Sequence, residues 1–393
     1  MTQDKPLKGV RVLDMTRVLA GPYCTMMLAN LGADVIKVER PEVGDDARSF
    51  GPFFEDGEES AYFASLNSGK RSIELNLKDE KDIQTFKELI KKVDVVAENF
   101  RPGTMEKLGL GYETLKEINP EIIYAATSGF GHSGPDSKKA AYDMIVQAAS
   151  GVMSITGYPD GPPVRVGVSV GDIVAGMFTA SGILAALYQR TITGEGQKVD
   201  VSMLDGQVAI LENAIARYMV DGEAPKPLGA KHPSITPFQA FEAKDGWFVI
   251  AAGNDTLWAK LCQAIEREDL IDDSRFKTNA DRSDNIDELN EVLGEELAKK
   301  TVDEWVEIID NHGVPTSPIN SIDDLFDYPQ IEARNMLVGL DDYEDDMVVA
   351  GNPIKMTNVP EEDSKPRAPK LGEHTEEVIE ELLDGDKPKI EAV

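Results

Sequence analysis

A doubly layered α/β protein built on a Rossmann-like parallel sheet, carrying a smaller α+β domain, is the fold this sequence predicts. Three observations predict it. Short apolar strands alternate with helical patterns through the first two hundred residues, the signature of a parallel sheet covered on both faces. A Gly-, Pro- and Lys-rich stretch at 222–237 then interrupts the alternation and reads as a linker. Beyond it the style changes to a hairpin followed by mostly helical sequence, and a length of 393 residues itself favours two domains.

In order, Arg11–Met15 reads as a strand, Gly21–Leu31 as a helix and Asp34–Val38 as a second strand. Further strands are expected at Ser72–Leu77, Val93–Glu98 and Ile122–Thr127, with helices at Glu80–Lys92 and Met105–Leu110. Helices at Asp143–Met153 and Asp172–Gln189, a strand at Lys198–Ser202 and a helix at Gln207–Met219 complete the first part. Phe238–Ala243 and Trp247–Ala252 flank Lys244-Asp-Gly, a hairpin signal. A Pro-containing strand is expected at Val314–Ile319 and an amphipathic helix at Lys370–Leu383. The domains so defined are 1–222 with 330–393, and 228–325.

Composition narrows the function classes. The net charge of −31 argues against a nucleic-acid partner. The charge is uneven: Gln263–Ala350 holds 25 Asp and Glu against 7 Lys and Arg, whereas Met1–Arg40 is slightly basic. The first half therefore remains open to a polyanion, and the acidic stretch reads as a solvated helical surface. No apolar run is expected to span a membrane, and Met1–Pro6 is polar with no signal-peptide character. Cys24 and Cys262 form no CxxC pair or disulfide framework, which suits a reducing cytoplasm. The four histidines show no ligand spacing, so no metal site is expected.

Common phosphate-cradling motifs are missing. The turn after the first strand is Arg17-Val-Leu-Ala-Gly-Pro rather than GxGxxG, and Gly109-Leu-Gly111 reads as a helix C-cap turn. Gly167-Val-Ser-Val-Gly171 matches a nucleophile elbow, with strand-like Val164–Val166 before it. That would make Ser169 the nucleophile of a serine hydrolase or thioesterase, but no HGGG-type oxyanion segment accompanies it. Asp172 starts an apolar helix and on local grounds reads first as its N-cap. A carboxylate placed there is also positioned by backbone N–H groups and kept ionised by the helix dipole, as a covalent nucleophile requires.

Taken together, the motifs resemble the family III CoA-transferases of CaiB/BaiF type, the group of formyl-CoA transferase, carnitine CoA-transferase and the α-methylacyl-CoA racemases. The resemblance rests on Arg17–Pro22, Leu31–Arg40, Gly44–Arg48, Asn67–Leu75, Val96–Gly103, Tyr142–Gln147, Gly171-Asp172, Gly196–Val201 and Leu371–His374, which occur in family order across the chain. It implies that Asp172 carries CoA between acids through an aspartyl anhydride and an aspartyl-CoA thioester. It implies CoA contacts at Val18, Leu19, Ala20, Arg40, Leu75, Asn99, Phe100 and Lys107, and an acyl pocket at Phe50, Tyr62 and Tyr142. Singly, Arg40 and Lys107 read first as solvated surface charges, and the aromatics equally as core packing.

Coenzyme A and acyl-CoA are then substrates, with a small free carboxylic acid, dicarboxylic acids included, as acceptor and no tightly bound cofactor. The racemase reading is weakened because Tyr142 stands where the racemases have histidine, although His132 lies nearby in sequence. Leu19 replaces a glutamine of formyl-CoA transferase, and the short Gly229–Pro233 stands in place of its Gly-rich lid, which argues against oxalate as acceptor. The resemblance also implies a ring-shaped chain in an interlocked homodimer. A non-enzymatic acyl-CoA sensor or carrier is a third reading.

Overall fold

The computed structural model describes residues 4–54, 59–343 and 347–384. They form two compact units, Met1–Met153 with Arg165–Glu223 and Pro329–Val393, and Ser154–Val164 with Ala224–Tyr328. The first unit begins β1 (Arg11–Asp14), α1 (Ala20–Asn30), β2 (Asp34–Glu39), α2 (Ala61–Asn67), β3 (Arg71–Glu74), α3 (Glu80–Ile90) and β4 (Val95–Glu98). It continues with α4 (Thr104–Lys107), α5 (Tyr112–Ile118), β5 (Ile123–Ser128) and α6 (Asp143–Ser150). After α7 (Val152–Ile155) come α8 (Val170–Thr193), β6 (Lys198–Ser202), α9 (Met203–Ala209) and α10 (Glu212–Asp221). Gly151, at φ 94, divides what periodicity reads as one helix into α6 and α7. The expected helix at Gln207–Met219 is likewise two helices, separated at Ile210 and Leu211.

The six strands form one sheet in the order β3-β2-β1-β4-β5-β6, and every neighbouring pair is parallel. Strand alternation sends Val12, Val35, Val95 and Ile123 to one face, against Cys24 and Leu28 of α1 and Ala180 and Ile183 of α8. Leu13, Ile36, Val96 and Tyr124 face the other way, against Phe86, Leu89 and Leu115. Each such aliphatic side chain removed from water contributes about 1.5–3 kcal/mol. The strand order reverses between β1 and β4, so the loops leaving their C-terminal ends part and open a crevice.

Helix α8 is long and apolar enough to cross a membrane by length and composition, contrary to the expectation that no segment is. Here its small-residue stripe, Ala175, Gly176, Thr179, Ala180, Ile183 and Ala186, is buried. A Cβ on Gly176 would lie 2.7 Å from the Ala20 carbonyl, and one on Gly182 2.6 Å from Val199. Glycine at both positions lets α8 approach α1 and the sheet.

The second unit carries the expected hairpin, β7 (Phe238–Glu242) and β8 (Trp247–Ala251), then α11 (Asp255–Ala264), α12 (Asn279–Asp284), α13 (Ile286–Leu297), α14 (Val302–Asn311) and β9 (Thr316–Pro318). The strands are antiparallel in the order β7-β8-β9. Trp258, Phe276, Leu293 and Trp305 sit in its core. Back in the first unit, α15 (Pro329–Ala333) precedes a small sheet of β10 (Leu337–Leu340), β11 (Val348–Ala350) and β12 (Ser364–Lys365) that hydrophobic patterning does not reveal. The tail helix α16 (Thr375–Ile379) is shorter than expected. It docks where His374 N–H meets the Ser72 carbonyl at 2.9 Å and Val378 and Leu382 enter the core beside β3.

Candidate active site

The loop after β1 rests on buried charge. Asp14 accepts from the Thr16 N–H at 2.9 Å and the Thr25 hydroxyl at 2.6 Å, and Lys70 Nζ lies 3.0 Å away. Burial alone would raise its carboxyl, but Lys70, Lys37 and the hydroxyls of Thr16 and Thr25, both donating to it, bring it down to about 2. Lys37 Nζ donates to the Thr16 carbonyl at 2.8 Å and pairs with Asp45 at 2.9 Å, both side chains fully buried. Asp45 Oδ1 accepts the N–H groups of Val18 (3.0 Å) and Ala47 (2.9 Å). Asn99, beyond β4, accepts the Arg17 N–H at 2.8 Å and donates to its carbonyl at 2.7 Å. This network holds Val18 at φ 67, a left-handed conformation that a β-branched residue rarely adopts.

The same loop delivers the Ala20 N–H to Asp172. Asp172 is the third residue of α8; the N-cap is Ser169, whose side chain makes no capping bond. The N-cap reading of Asp172 is therefore corrected. So is the expectation of a carboxylate kept ionised, since burial and the adjacent Asp143 push Asp172 up to about 7 against the Ala20 bond. Desolvation outweighs the first-turn dipole here. Gly171 has no room for a side chain: a Cβ would stand 2.4 Å from Gln207 Nε2 and 3.1 Å from Asp143 Oδ1. Asp143 accepts the Gly171 N–H at 2.8 Å and a Gln147 amide proton at 2.7 Å.

Two clefts meet at the strand-order reversal. One, of about 290 Å³, is lined by Val18, Leu19, Ala20, Asn99, Tyr142 and Asp172 together with Arg17 and Phe100. The other, of about 610 Å³, is lined by Arg40, Leu75 and Leu108, again with Arg17 and Phe100. Arg17 and Phe100 thus stand between them, the guanidinium 5.1 Å from the ring centroid. Arg40 is partly engaged already, donating to Asp46 at 2.8 Å and to the Gly44 carbonyl at 3.2 Å. Lys107 is exposed on α4 and lines neither cleft. Phe50 and Tyr62 meet edge-on at 5.9 Å without lining the clefts. Burial, then the charge of Asp172, pushes the Tyr62 phenol up to about 12.

A sequence profile described as CoA-transferase family III matches residues 7–375. The chain belongs to CoA-transferase family III. It is 46% identical over 369 residues to the acetyl-CoA:oxalate CoA-transferase of Acetobacter aceti, covering 94% of this chain and 93% of that one. It is 45% identical over 392 residues to the succinyl-CoA:mesaconate CoA-transferase of Haloarcula marismortui, covering 95% and 96%. The crystal structure of a CaiB/BaiF family protein from Brucella suis superposes with a TM-score of 0.86 at 39% identity, covering 97% of this chain and all of that one.

Membership makes this protein a CoA-transferase, with CoA thioesters as substrates. The competing hydrolase reading also fails on geometry. Residues 164–166 form no strand before the GxSxG segment. The histidines are committed elsewhere: His132 to Lys198, His232 to the Ser234 N–H, His312 to the Ile308 carbonyl and His374 to the Ser72 N–H. For racemisation, His132 lies outside both clefts and Tyr142 is strongly exposed.

Sequence reading missed Asp143, Lys37 and Asp45 as parts of the site. A signal existed for Lys37, a lysine inside the central strand Asp-Val-Ile-Lys-Val-Glu, where solvent has no access.

Proposed function

We propose that this CoA-transferase moves CoA from an acyl-CoA donor to a dicarboxylic acid, with Asp172 as covalent carrier. The Asp172 carboxylate attacks the donor thioester carbonyl, giving a mixed anhydride and releasing CoA thiolate. The thiolate attacks the aspartyl carbonyl of that anhydride, forming aspartyl-CoA thioester and freeing the donor acid. The acceptor carboxylate attacks this thioester, and the returning thiolate takes the new acyl group and regenerates Asp172. Each step exchanges one activated acyl bond for another, so no ATP is consumed.

The observation that carries the reading is the place of Asp172. It opens on a cleft that shares Arg17 and Phe100 with a larger one, so a long thioester has an anchoring groove beside a nucleophile. Leu75 and Arg40 suit the CoA end, and Tyr142 the acyl end. The raised basicity of Asp172 favours attack once it is deprotonated. The dicarboxylic acceptor is supported by relatives named for oxalate, mesaconate and glutarate.

Incubation with acyl-CoA, trapping with hydroxylamine or borohydride, and peptide mapping should place the adduct on Asp172. An adduct elsewhere would sink the mechanism. An interlocked homodimer is the expected assembly, and a folded, active 42.9 kDa species in sedimentation at nanomolar concentration would rule it out. The buried, free Cys24 and Cys262 fit a cytoplasmic setting.

A further inference from the structure

We propose that Glu98 is a positioning residue for the CoA moiety: together with His132 and Lys198 it holds the Asn99–Phe100 turn through its negative charge, and protonation loosens that turn. The inference rests on the reading that CoA lies against Phe100.

Glu98 is the last residue of β4, at the strand-order reversal, and is 2% exposed. Its Oε2 accepts the Phe100 N–H at 2.7 Å and its Oε1 accepts the Tyr124 hydroxyl at 3.2 Å. It thereby fixes a turn with two tasks. Phe100 walls both clefts, and Asn99 clamps the backbone of Arg17 on both sides. A buried carboxylate holding one backbone N–H is a charge-assisted bond, stronger than a neutral one.

His132 stands behind it. Lys198 Nζ is 2.9 Å from His132 Nδ1. An ammonium only donates, so Nδ1 accepts and the ring proton sits on Nε2. That Nε2 is buried without a hydrogen-bond partner and lies 3.7 Å from Glu98 Oε1. The ring therefore places its Nε2–H group close to the carboxylate, beyond hydrogen-bonding distance. The remaining groups facing the pair are Tyr124 from β5, Asp200 from β6, whose carboxylate accepts the His132 backbone N–H at 3.1 Å, and Glu106 from α4. Burial, then Glu106, lifts Glu98 to about 7 against the Phe100 and Tyr124 bonds and Lys198. Burial, then Lys198, lowers His132. Near neutral pH, then, the charge on Glu98 changes while His132 stays neutral.

The test is calorimetric titration of the full chain with free coenzyme A from pH 5.5 to 8.5, for wild type, Glu98→Gln and Phe100→Ala. The ligand's own phosphate titration divides out of the ratio of wild-type to Glu98→Gln affinity. That ratio is expected to fall about fivefold from high to low pH, as the charged bond is lost in wild type alone. In turnover, Glu98→Gln should raise KM for acyl-CoA and leave kcat within about twofold, because the turn holds the ligand and not the reacting atoms. A ratio constant with pH, or a fall in kcat at unchanged KM, overturns the proposal. If Glu98→Gln does not fold, Lys198→Met serves: removing the cation should move the midpoint of CoA affinity to higher pH, and an unmoved midpoint overturns the proposal equally. Unchanged affinity in Phe100→Ala would instead refute the placement of CoA, a different failure.

Discussion

The two units use their interiors differently. In the first, Asp14, Lys37, Glu39, Asp45, Lys70, Glu98 and Asp143 are all buried, clustered where strands end and loops begin. In the second, Arg282 is the buried charge among the described residues, and tryptophan, phenylalanine and leucine fill the core. Burying charge is costly unless it is paired and bonded. The first unit accepts that cost where it sets loop geometry, while the second keeps its acids on the surface. Buried charge and the candidate nucleophile Asp172 therefore occupy the same unit.

The strongest test of this contrast is Asp172→Asn. It should reduce transfer by about a thousandfold or more, since an amide is a poor nucleophile. It should also stabilise the fold at pH 8, because Asp172 is raised to about 7 and its buried charge opposes folding. The sign follows from linkage: the penalty is absent near pH 3, grows through pH 4–7 and is full above 7. We expect a gain of about 1–3 kcal/mol at pH 8 that vanishes at pH 3, read from denaturant melts at both values. Equal stability of the two proteins at pH 8 would break the idea that the site stores strain.

The converse change belongs to the second unit. Arg282 donates to the carbonyls of Thr236 (2.7 Å) and Phe276 (2.9 Å) and to Asp255 (2.9 Å), over the Trp258 ring. Arg282→Met should lower stability by about 2–4 kcal/mol, leaving those carbonyls unpaired, while kcat of the folded fraction stays near wild type. A kcat loss larger than the loss of folded protein would show that the units do not separate function from stability.

What the sequence disclosed follows the same division. The strand–helix alternation, the hairpin and the linker were legible because each is a local pattern of apolar spacing and turn residues. Asp172 stood out through motifs in family order. The network around it did not, because Lys37 meets Asp45 and Thr16, Asn99 meets Arg17, and Glu98 meets His132 only when strands far apart in sequence lie side by side. The small sheet of β10–β12 escaped because its strands are two to four residues long. The excursion of 154–164 into the second unit left no mark in hydrophobic spacing.

Two smaller effects sharpen the contrast. Transfer at limiting acyl-CoA should rise about tenfold per pH unit up to about 7 and then level, as Asp172 loses its proton. A kcat/KM flat from pH 5.5 to 8 would count against Asp172 as the titrating nucleophile. Smallest is the response to salt. Raising NaCl from 0.1 to 1 M shortens the screening length from about 10 to about 3 Å, which relieves repulsion within Gln263–Ala350, where 25 acids face 7 bases. The melting midpoint should rise by a few degrees, and neutralising several exposed acids there should remove most of that rise; a falling midpoint contradicts it.

Helix α8 also bears on how the chain is made. Emerging from the ribosome, Val170–Thr193 is a 24-residue apolar stretch of the kind that insertion machinery and chaperones recognise. Many of its docking partners, α1, α6 and strands β1, β2, β4 and β5, precede it in synthesis. A receiving surface is thus available before α8 appears, and β6 and α9 complete it afterwards. A circular permutant starting at Ser169 would reverse that sequence, exposing α8 before anything could cover it. Its yield of soluble protein should drop even where the finished fold is the same.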